Sequence, residues 1–514
     1  MEALELPGFW ILLKIWTWIR DFVLSLACPS LIPDTDKFGA KIKATWEIPG
    51  PTIWRPVLGD ALTLNKFGGP EKLLDYISSL HEKYGPIFKT KLGPQKFVFI
   101  NHPALYEEIF RPEPNYPIRL KLPSSEAFYE KHKIDRGIFC RDGKEFCRGR
   151  TIMAEVLLKV AGQYMETLFD SVDPVLKRLM DHWTTMSMET KGGHIRNIEQ
   201  DCYEFFIAAK MTMTYGQHYE TFLSQAGSSV KTLASEAIKL NAATFDLNTH
   251  PIQIATGFGL KEYDEYTLKN LETGRKCIDI ALETMAATGG SSEEFGLLHR
   301  IKNVYNASDE EMRVYFTDMT ADISDQVSLT FLWILFSLGR NPDVQEKILQ
   351  EIEQVCRPGK NVVYKDLQKL PYLNTTCKEV FRLFSTAQLV IRKNSNDVVL
   401  GGYNVTADYA VILSSFSSHK NPSFFSNPEK FWPGRWLGEE RDVDTGEVKR
   451  SENAYYPFGM GKRMCAGKLL AYNLMKLFIA KVVQAFVVES DEVQKKLKIM
   501  LYPNGDMNIR LKSR

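Results

Sequence analysis

The stretch PFGMGKRMCAG, residues 457–467, places Cys465 in a glycine-rich loop directly before an apolar helix predicted to start near Lys468. A thiolate at such a point gains from free backbone N–H groups and from the positive end of the helix dipole, and both lower the pKa of the thiol. The loop also omits side chains where a flat ligand needs a close approach, at Gly459, Gly461 and Gly467. The alternative is a buried, inert cysteine.

Two cations in the same loop, Lys462 and Arg463, suit carboxylate groups on a ligand. The spacing does not fit a phosphate-binding loop. A GxGxxG pattern needs glycine at position 464, which is Met464, and a Walker loop needs glycine at position 456, which is Tyr456. The loop therefore favours a planar ligand that carries carboxylates.

The composition is that of a large globular protein of 514 residues, 44% hydrophobic and 25% charged. Because 64 Lys and Arg face 63 Asp and Glu, the formal net charge is +1 and no global electrostatic argument supports a nucleic-acid partner. The eight cysteines are too sparse for a disulfide framework, which indicates a reducing compartment.

The N-terminus differs from the rest of the chain and predicts two parts, a segment with its linker at residues 1–45 and a body at residues 46–514. Residues 9–28, FWILLKIWTWIRDFVLSLAC, place Lys14, Arg20 and Asp21 on one helical stripe opposite apolar residues. This pattern predicts an amphipathic helix in a membrane interface, or a targeting segment, rather than a clean span. A helix packed on the body is the alternative.

The body shows mostly helical periodicity with a small β portion at its two ends. Alternating runs predict a hairpin turning at residues 93–94 and further strands over residues 398–415. At the C-terminus, residues 496–502 and 506–512 flank a Pro-Asn-Gly turn at 503–505, which predicts another hairpin.

The longest predicted helix begins at a capping box formed by Ser308 and Glu311 and continues to Leu338. At ~1.5 Å per residue it would be roughly 45 Å long and would cross the whole body. Polar residues interrupt its apolar middle: Asp318, Asp322, Ser324, Asp325 and Gln326. They are either a functional cluster or a solvent-facing stripe, since the three aspartates are three to four residues apart.

The pattern Phe458-x-x-Gly461-x-Arg463-x-Cys465-x-Gly467 resembles the haem-binding loop of the cytochrome P-450 superfamily. The resemblance implies the cytochrome P-450 fold, mainly α with a small β portion and with a long central helix crossing the haem domain. It implies haem b, iron protoporphyrin IX, as the cofactor, in a loop that includes Gly459. Cys465 is then the proximal iron ligand, whose electron donation favours O–O cleavage.

A buried triad is also implied by the resemblance. Glu379 and Arg382 match the family's Glu-x-x-Arg pair, and Arg435 matches the arginine that completes the triad. A carboxylate shared by two guanidinium groups can fix the loop beneath the haem, so these three residues are expected to have a structural role.

Three arginines match ligands of the haem propionates: Arg463, Arg392 and Arg150. Arg150 follows Phe146 by four residues, where the family has Trp-x-x-x-Arg. Phenylalanine donates no hydrogen bond, so one propionate contact is missing from the pattern. Each arginine could alternatively be a surface residue.

The middle of the long helix departs from the family. The stretch Ala/Gly-Gly-x-Asp/Glu-Thr falls on residues 322–326, where the acid is Asp325 and the usual threonine is Gln326. In the family, the acid and the alcohol deliver protons, so Asp325 with Gln326 or Ser324 is expected to relay protons. An apolar substrate pocket is expected to be lined by Ile323, Leu389 and Val390.

Four stretches resemble the mitochondrial sterol and steroid hydroxylases, including the arthropod ecdysteroid-pathway hydroxylases: EKYGP at 82–86, YPIR at 116–119, RGIF at 136–139 and DEE at 309–311. That branch receives electrons from a small acidic ferredoxin through surface cations, which Lys378 and Lys468 match here. At two further positions where that branch has a cation, this chain has Asn374 and Leu469 instead. A diflavin reductase is the alternative donor, and the endoplasmic reticulum is the alternative to the mitochondrion.

The expected function is that of a membrane-associated haem-thiolate monooxygenase that inserts one oxygen atom into a small apolar, sterol-like substrate. Two alternatives remain. An isomerase or dehydratase of lipid peroxides has no need of the missing threonine. A haem-binding sterol carrier or sensor would bind its ligand without turnover.

Overall fold

The computed structural model describes residues 41–51, 59–92, 95–115, 117–121, 123–134, 137–138, 141–157, 163–249, 260–288, 292–321, 324–357, 359–438, 452–498 and 500–514. The predicted N-terminal amphipathic helix lies outside these ranges and stays a prediction. Among the described residues, no helix combines the length and apolarity that a bilayer crossing requires.

Helices make up most of the described chain, which confirms the mainly α fold class. In chain order they are α1 (Ala61–Phe67), α2 (Leu73–Tyr84), α3 (Pro103–Phe110), α4 (Pro123–His132), α5 (Gly143–Leu157), α6 (Gln163–Glu189), α7 (Ile198–Tyr215), α8 (Tyr219–Gln225), α9 (Val230–Thr249), α10 (Leu260–Thr288), α11 (Ser292–Val304), α12 (Asp309–Ala321), α13 (Ser324–Arg340), α14 (Pro342–Val355), α15 (Pro371–Phe384), α16 (Ser415–His419) and α17 (Lys468–Ala485).

The strands are short and lie near the two ends of the described chain, as predicted. They are β1 (Ile87–Leu92), β2 (Gln95–Ile100), β3 (Leu389–Lys393), β4 (Val398–Leu400), β5 (Tyr403–Val405), β6 (Tyr409–Ser414), β7 (Phe486–Ser490), β8 (Gln494–Leu497), β9 (Leu501–Asn504) and β10 (Ile509–Ser513). The four-stranded sheet has the order β1-β2-β6-β3. Its first pair is the predicted hairpin, with Leu92 opposite Gln95, and β2 runs parallel to β6.

The C-terminal hairpin prediction is wrong in its pairing. Strands β8 and β9 pair with each other, Leu497 opposite Leu501, so the run 496–502 that was expected to form a single strand contains the end of β8 and the start of β9. Strand β10 pairs instead with β7, Ile509 opposite Ser490. The Pro-Asn-Gly signal marks the end of β9, and β10 pairs with the half-buried β7 rather than across that turn.

The long central helix is described as two segments, α12 and α13, on either side of residues 322–323. The predicted capping box is present, since Ser308 N donates to Glu311 Oε2 at 3.0 Å and Glu311 N donates to Ser308 Oγ at 3.2 Å. These two bonds satisfy backbone donors at the start of α12 that have no partner within the helix.

Helix α13 lies in the middle of the largest hydrophobic core cluster. Phe331 packs against Phe205 of α7 and Phe478 of α17, with ring centroids 5.2 and 4.5 Å apart. Trp333 stacks on Phe384 of α15 at 4.8 Å and donates its Nε1–H to Leu501 O at 3.0 Å. The helix is therefore held by four elements, which fixes the position of the polar residues at its start.

Candidate functional site

The Cys465 loop is a tight backbone structure that ends at the first turn of α17. Cys465 N donates to Phe458 O at 3.0 Å, and Met464 N donates to Gly461 O at 3.1 Å. Helix α17 begins at Lys468, where the sequence predicts it. The loop thus fixes the cysteine at the N-terminus of a long helix.

Two glycines of this loop have the left-handed backbone that side chains disfavour, because Gly459 and Gly461 both have φ of +72°. Gly461 also lies against its neighbours. A Cβ added there would be 2.4 Å from Glu113 Oε2 and 2.6 Å from Phe110 Cδ1. At Gly459 the nearest atom would be Val390 Cγ1 at 3.7 Å. The loop therefore requires glycine at 461 for space as well as for conformation.

The Cys465 side chain has accessible surface, yet the protein around it is dense enough to desolvate the thiol. The sulfur therefore faces an enclosed space beside the loop. Burial raises the pKa of the thiol, while hydrogen bonds from the backbone N–H groups of Gly467 and Lys468 and the nearby Arg150 act in the opposite direction. These groups favour the thiolate, and a cation bound to the sulfur would favour it further.

The structure brings Glu379, Arg382 and Arg435 together in a site without solvent exposure. Arg382 donates to the Glu379 carboxylate through Nε at 3.0 Å and Nη2 at 2.8 Å. Arg435 donates to Glu379 Oε1 through Nε at 2.9 Å. The guanidinium groups also bind carbonyl oxygens of the 419–430 segment, so the triad ties α15 to that loop.

Two tryptophans complete the coordination of Glu379, and sequence reasoning missed both. Trp436 donates its Nε1–H to Oε2 at 2.9 Å, and the backbone N–H of Trp432 donates to Oε1 at 3.0 Å. Their positions beside Arg435 in FWPGRWL were the only signal. The ring centroids of Phe381 on α15 and Phe458 are 4.8 Å apart. This contact connects the helix that contains Glu379 to the cysteine loop.

Arg392 and Arg463 lie in one cluster with Arg119. Arg392 is buried, and its Nε is 3.4 Å from Glu113 Oε1. Burial lowers the pKa of Arg392 to about 10, with repulsion from Arg119 and Arg463 adding to the effect and Glu113 opposing it. Sequence reasoning did not select Arg119, whose role depends on long-range packing.

Arg463 donates Nη2 to Asp142 Oδ1 at 2.6 Å and to Pro117 O at 2.7 Å, and its guanidinium lies 3.5 Å from the Phe146 ring. Its buried Nε has no hydrogen-bond partner. Phe146, which stands where the family pattern has Trp, is thus a stacking platform for Arg463. Burial lowers the pKa of both Arg463 and the nearby Arg150.

These observations fit a haem. Arg392 pairs with Glu113 and Arg463 pairs with Asp142, the positive charge of Arg119 acts on both arginines, and Arg463 has a buried N–H without an acceptor. An anionic group with carboxylates would relieve both costs. A sulfur ligand lies at the enclosed space beside the loop, and Arg150 is close enough to act on the charge of that sulfur. The residues present therefore suit an iron porphyrin with two propionates.

The three residues expected to relay protons do not share one helical face. Ser324 is buried and accepts a hydrogen bond from Lys210 Nζ of α7 at 3.1 Å. Gln326 is exposed, and Asp325 is half-buried. Because residues two apart on a helix project about 200° from each other, Ser324 points away from the direction of Gln326. Lys210 was not selected from the sequence, since a lone lysine in an apolar run has no signature.

Asp325 lies near two tyrosines that the sequence did not single out. The hydroxyls of Tyr203 on α7 and Tyr502 on β9 are 3.4 Å apart and buried. Burial together with the negative charge of Asp325 raises the pKa of both phenols. The acid predicted from the sequence is therefore next to a buried hydroxyl pair.

The remaining predicted residues lie around the loop. Leu389 and Val390 are half-buried on β3, the strand that also contains Arg392, while Ile323 falls outside the described residues. Lys378 places its ammonium 5.4 Å from the ring of Trp436, and Lys468 is exposed at the start of α17. Both lysines are thus on elements that hold the cysteine.

A helical body, a buried Glu-Arg-Arg triad and a cysteine loop beside an arginine cluster are consistent with a haem-thiolate protein. The comparison with protein families agrees. The family model for cytochrome P450 matches residues 48–508, and the chain belongs to that family. It is therefore an oxidoreductase of the haem-dependent monooxygenase type.

The similar proteins are distant but span most of the chain. The 1,25-dihydroxyvitamin D(3) 24-hydroxylase, mitochondrial, of Mus musculus is 26% identical over 469 residues, 90% of this chain and 88% of the relative. The cholesterol side-chain cleavage enzyme, mitochondrial, of Ovis aries is 24% identical, covering 80% and 78%. Cytochrome P450 315a1, mitochondrial, of Drosophila melanogaster is 25% identical, covering 89% and 87%.

Proposed function

We propose that this chain is a mitochondrial haem b monooxygenase that hydroxylates a sterol-like substrate with dioxygen and electrons from a ferredoxin. The observation that carries the proposal is the set of similar proteins. The names of two refer to cholesterol or a vitamin D derivative, and all three are described as mitochondrial. The enclosed space beside Cys465 supports the proposal chemically, because it combines a sulfur ligand with cations for propionates.

The haem, when bound, supplies the electron and dioxygen chemistry, and the protein supplies orientation and protons. Cys465 would ligate the iron, and Arg392, Arg463 and Arg150 would hold the propionates. Glu379 with its two arginines keeps the loop rigid. The contacts and charges described above support these roles.

Proton supply in this proposal depends on Asp325. Its half-buried carboxyl can hold a proton and release it toward the exposed Gln326. The Gln326 amide can orient a water molecule but passes a proton less easily than a hydroxyl does. Ser324 contributes mainly by accepting the bond from Lys210, which fixes the first turn of α13.

The substrate would lie against Leu389 and Val390 of β3. Both side chains are apolar and half-buried, so they can exclude water from an apolar substrate without offering it a charge. Ile323 is proposed to line the same pocket from the sequence alone.

The ligation is tested with the reduced carbon monoxide complex of the holoenzyme. The Cys465→His variant should lose the red-shifted Soret band of a thiolate-ligated haem. The matched control is Cys356→Ser, since Cys356 is half-buried and far along the chain from the loop. Persistence of the band in Cys465→His would overturn the assignment of the ligand.

The substrate class is tested by titrating the holoenzyme with sterols and fatty acids and recording the Soret shift. Sterols that shift the spectrum should give a product only with dioxygen, NADPH, a ferredoxin and its reductase. Fatty acids that bind better than every sterol would contradict the sterol proposal.

Electron transfer is proposed to use Lys378 and Lys468, and the Lys378→Gln and Lys468→Gln variants should raise the KM for ferredoxin. Salt should weaken the wild-type interaction more than that of the variants, because charge steering is screened. Lys66→Gln is the control, since Lys66 is an exposed lysine on α1. Equal KM values in all three variants would exclude these lysines from the docking surface.

A second candidate function is favoured by Gln326. The exposed residue at the expected threonine position carries no hydroxyl, and an isomerase or dehydratase of lipid peroxides needs no external electrons. Turnover of a fatty-acid hydroperoxide without any donor would support this candidate. A strict requirement for NADPH and ferredoxin would exclude it.

A further inference from the structure

Glu113 lies between the cysteine loop and the strand that contains Arg392. It follows the end of α3 at Phe110, and its N–H donates to Phe110 O at 3.2 Å. The Glu113 side chain is 6% exposed. Sequence reasoning did not select this residue, because a lone glutamate after a helix belongs to no motif. Burying a carboxylate is costly unless it is paired, so its contacts indicate what it does.

One carboxylate oxygen of Glu113 binds the cysteine loop. Glu113 Oε2 accepts the backbone N–H of Lys462 at 2.6 Å, a short bond of the kind that a charged acceptor makes. Lys462 in turn donates its ammonium to Glu113 O at 3.2 Å and to Pro114 O at 3.0 Å. The loop and the segment after α3 therefore hold each other close to Cys465 in the chain.

The other carboxylate oxygen faces Arg392. Glu113 Oε1 is 3.4 Å from Arg392 Nε, both atoms are buried, and neither has a hydrogen-bond partner among the described residues. The far end of the guanidinium donates Nη1 to Ile391 O at 3.0 Å and Nη2 to Met460 O in the cysteine loop. Glu113 therefore acts on Arg392 through its charge rather than through a fixed hydrogen bond.

The charge of Glu113 is screened less than that of the second carboxylate in the arginine cluster. Asp142, the partner of Arg463, has a side chain that is 26% exposed, against 6% for Glu113. Water and salt screen exposed charges more than buried ones. Of the two carboxylates, Glu113 should therefore have the larger effect on a group bound beside the arginines.

We propose that Glu113 sets the reduction potential of the haem through its negative charge beside Arg392. This inference rests on the haem binding proposed above, in which Arg392 holds a propionate, and not on the identity of the substrate. Glu113 acts through Arg392 and through the loop, so it is a positioning residue rather than a catalytic residue.

The sign of the effect follows from the charges. Ferric haem becomes ferrous by gaining one electron, which the ferredoxin supplies in the proposed function. The positive charge of Arg392 favours that gain, and the negative charge of Glu113 offsets it. Glu113 therefore lowers the potential and limits how completely the ferredoxin reduces the haem.

The test compares the midpoint reduction potentials of Glu113→Gln, Glu113→Asp and the unmodified holoenzyme in a spectroelectrochemical titration. Glutamine keeps the length of the side chain and an oxygen that can accept the Lys462 N–H, but it has no charge. Aspartate keeps the charge and is one methylene shorter. The potential should therefore rise in Glu113→Gln and stay close to the unmodified value in Glu113→Asp. A role in loop geometry alone predicts the opposite order, because aspartate no longer reaches Lys462 N.

Glu113→Gln should increase the equilibrium constant for haem reduction about threefold or more, because the added electron no longer meets a neighbouring negative charge. A one-electron couple changes by about 59 mV for each factor of ten, so a threefold change is a rise of about 28 mV. Glu113→Ala, which removes the carboxyl group altogether, is the second charge-free variant and should show a rise in the same direction.

Glu108→Gln is the matched control. Glu108 is on α3, close to Glu113 in the chain, and its Oε2 also accepts a backbone N–H, that of Gly401 at 2.7 Å. Glu108 is exposed, so its charge is screened by water. The reduced carbon monoxide spectrum verifies that every variant is folded and keeps the thiolate ligand.

Two results would overturn the role of Glu113 and leave the haem assignment intact. One is a potential in the charge-free variants no higher than in Glu108→Gln. The other is a rise in Glu113→Asp as large as in Glu113→Gln, since charge would then not be the cause. If the unmodified protein gives no thiolate-type carbon monoxide spectrum after it is supplied with haem, the proposed function fails and this inference fails with it.

Discussion

The Glu379 carboxylate shows how one residue can stabilise the cysteine loop without contacting it directly. It accepts five hydrogen bonds, from Arg382 Nε and Nη2, Arg435 Nε, Trp436 Nε1 and Trp432 N, and has no exposed surface. The carboxylate is shared by two guanidinium groups whose other N–H groups bind backbone carbonyls. Removing its charge therefore leaves two cations buried without an anion.

Glu379→Gln should accordingly lower the free energy of unfolding by about 3–5 kcal/mol, the usual cost of breaking a buried ion pair. The measurement is a urea unfolding curve. The control is Glu220→Gln, because Glu220 pairs with Arg178 at 3.1 Å with both side chains about 60% exposed, and an exposed pair is worth ~1 kcal/mol or less. A loss in Glu379→Gln no larger than in Glu220→Gln would show that the triad does not hold the loop.

Gly459 and Gly461 allow two reasons for a glycine in the cysteine loop to be tested separately, the lack of space for a side chain and the left-handed backbone conformation. Both have φ of +72°, so alanine at either position should cost roughly 1–2 kcal/mol for the left-handed backbone. Only at Gly461 does the added Cβ meet Glu113 at 2.4 Å. Gly461→Ala should therefore lose more stability and more haem than Gly459→Ala, measured by unfolding and by haem per protein. Equal losses would mean that conformation alone requires the glycines.

The sequence indicated candidate site residues but not the side chains that contact them in the fold. Cys465, Glu379, Arg382 and Arg435 were selected because each lies in a short motif that resembles the family. Lys210, Tyr203 and Tyr502 could not be selected in this way, because their position comes from contacts between residues more than a hundred positions apart in the chain. A single lysine or tyrosine in an apolar run has no periodic signal that separates it from an ordinary core residue.

At the scale of elements, the predictions succeeded where a signal is local and failed where pairing is distant. The capping box at Ser308 and the helix start at Lys468 depend on a few adjacent residues, and both were confirmed. The C-terminal strands were predicted from a strong turn signal, but β10 pairs with the half-buried β7 instead. Local turn chemistry thus gave the end of a strand without giving its partner.

His81 joins two elements and should make stability depend on pH. At the end of α2, its Nδ1 is 3.0 Å from Gly85 O and its Nε2 is 3.0 Å from Ser414 Oγ on β6. Burial lowers the pKa of His81 to about 4. The unfolded chain therefore binds a proton below about pH 6.5 while the folded chain does not, so stability is full above that pH and falls as the pH approaches 4.

Between pH 7 and pH 5 this one histidine should remove about 2 kcal/mol from the free energy of unfolding. The His81→Asn variant retains a donor for Gly85 O and should be less stable at pH 7, but its loss between pH 7 and pH 5 should be smaller by that amount. The buried His419, with its pKa lowered to about 3, adds a contribution of the same sign that the variant keeps. Urea unfolding at pH 7 and at pH 5 gives the free energy of unfolding of each protein. An identical loss between the two pH values in the variant and the unmodified protein would contradict the role of His81.

At the scale of the whole molecule, the first described residues are hydrogen-bonded to the rest of the body. Lys43 N donates to Gly402 O at 3.0 Å, Asn404 N donates to Lys43 O at 2.8 Å, and Lys89 Nζ donates to Thr45 O at 3.0 Å. The family model matches from residue 48. Folding and haem binding should therefore be properties of the chain from residue 41 onward, whereas membrane association is predicted for the amphipathic stretch at residues 9–28.

A chain that starts at Lys41 should fold, bind haem and give the thiolate-type carbon monoxide spectrum, and it should no longer float with phosphatidylcholine and cardiolipin vesicles in a density gradient. The matched control keeps the full length but carries Trp16→Glu and Ile19→Glu, which interrupt the apolar stripe, because burial of that stripe is the driving force for interfacial binding. Both variants should lose flotation to a similar extent. Trp46 is 80% exposed and present in both, so flotation of the shortened chain at the level of the full chain would place the membrane contact on the body rather than on residues 9–28.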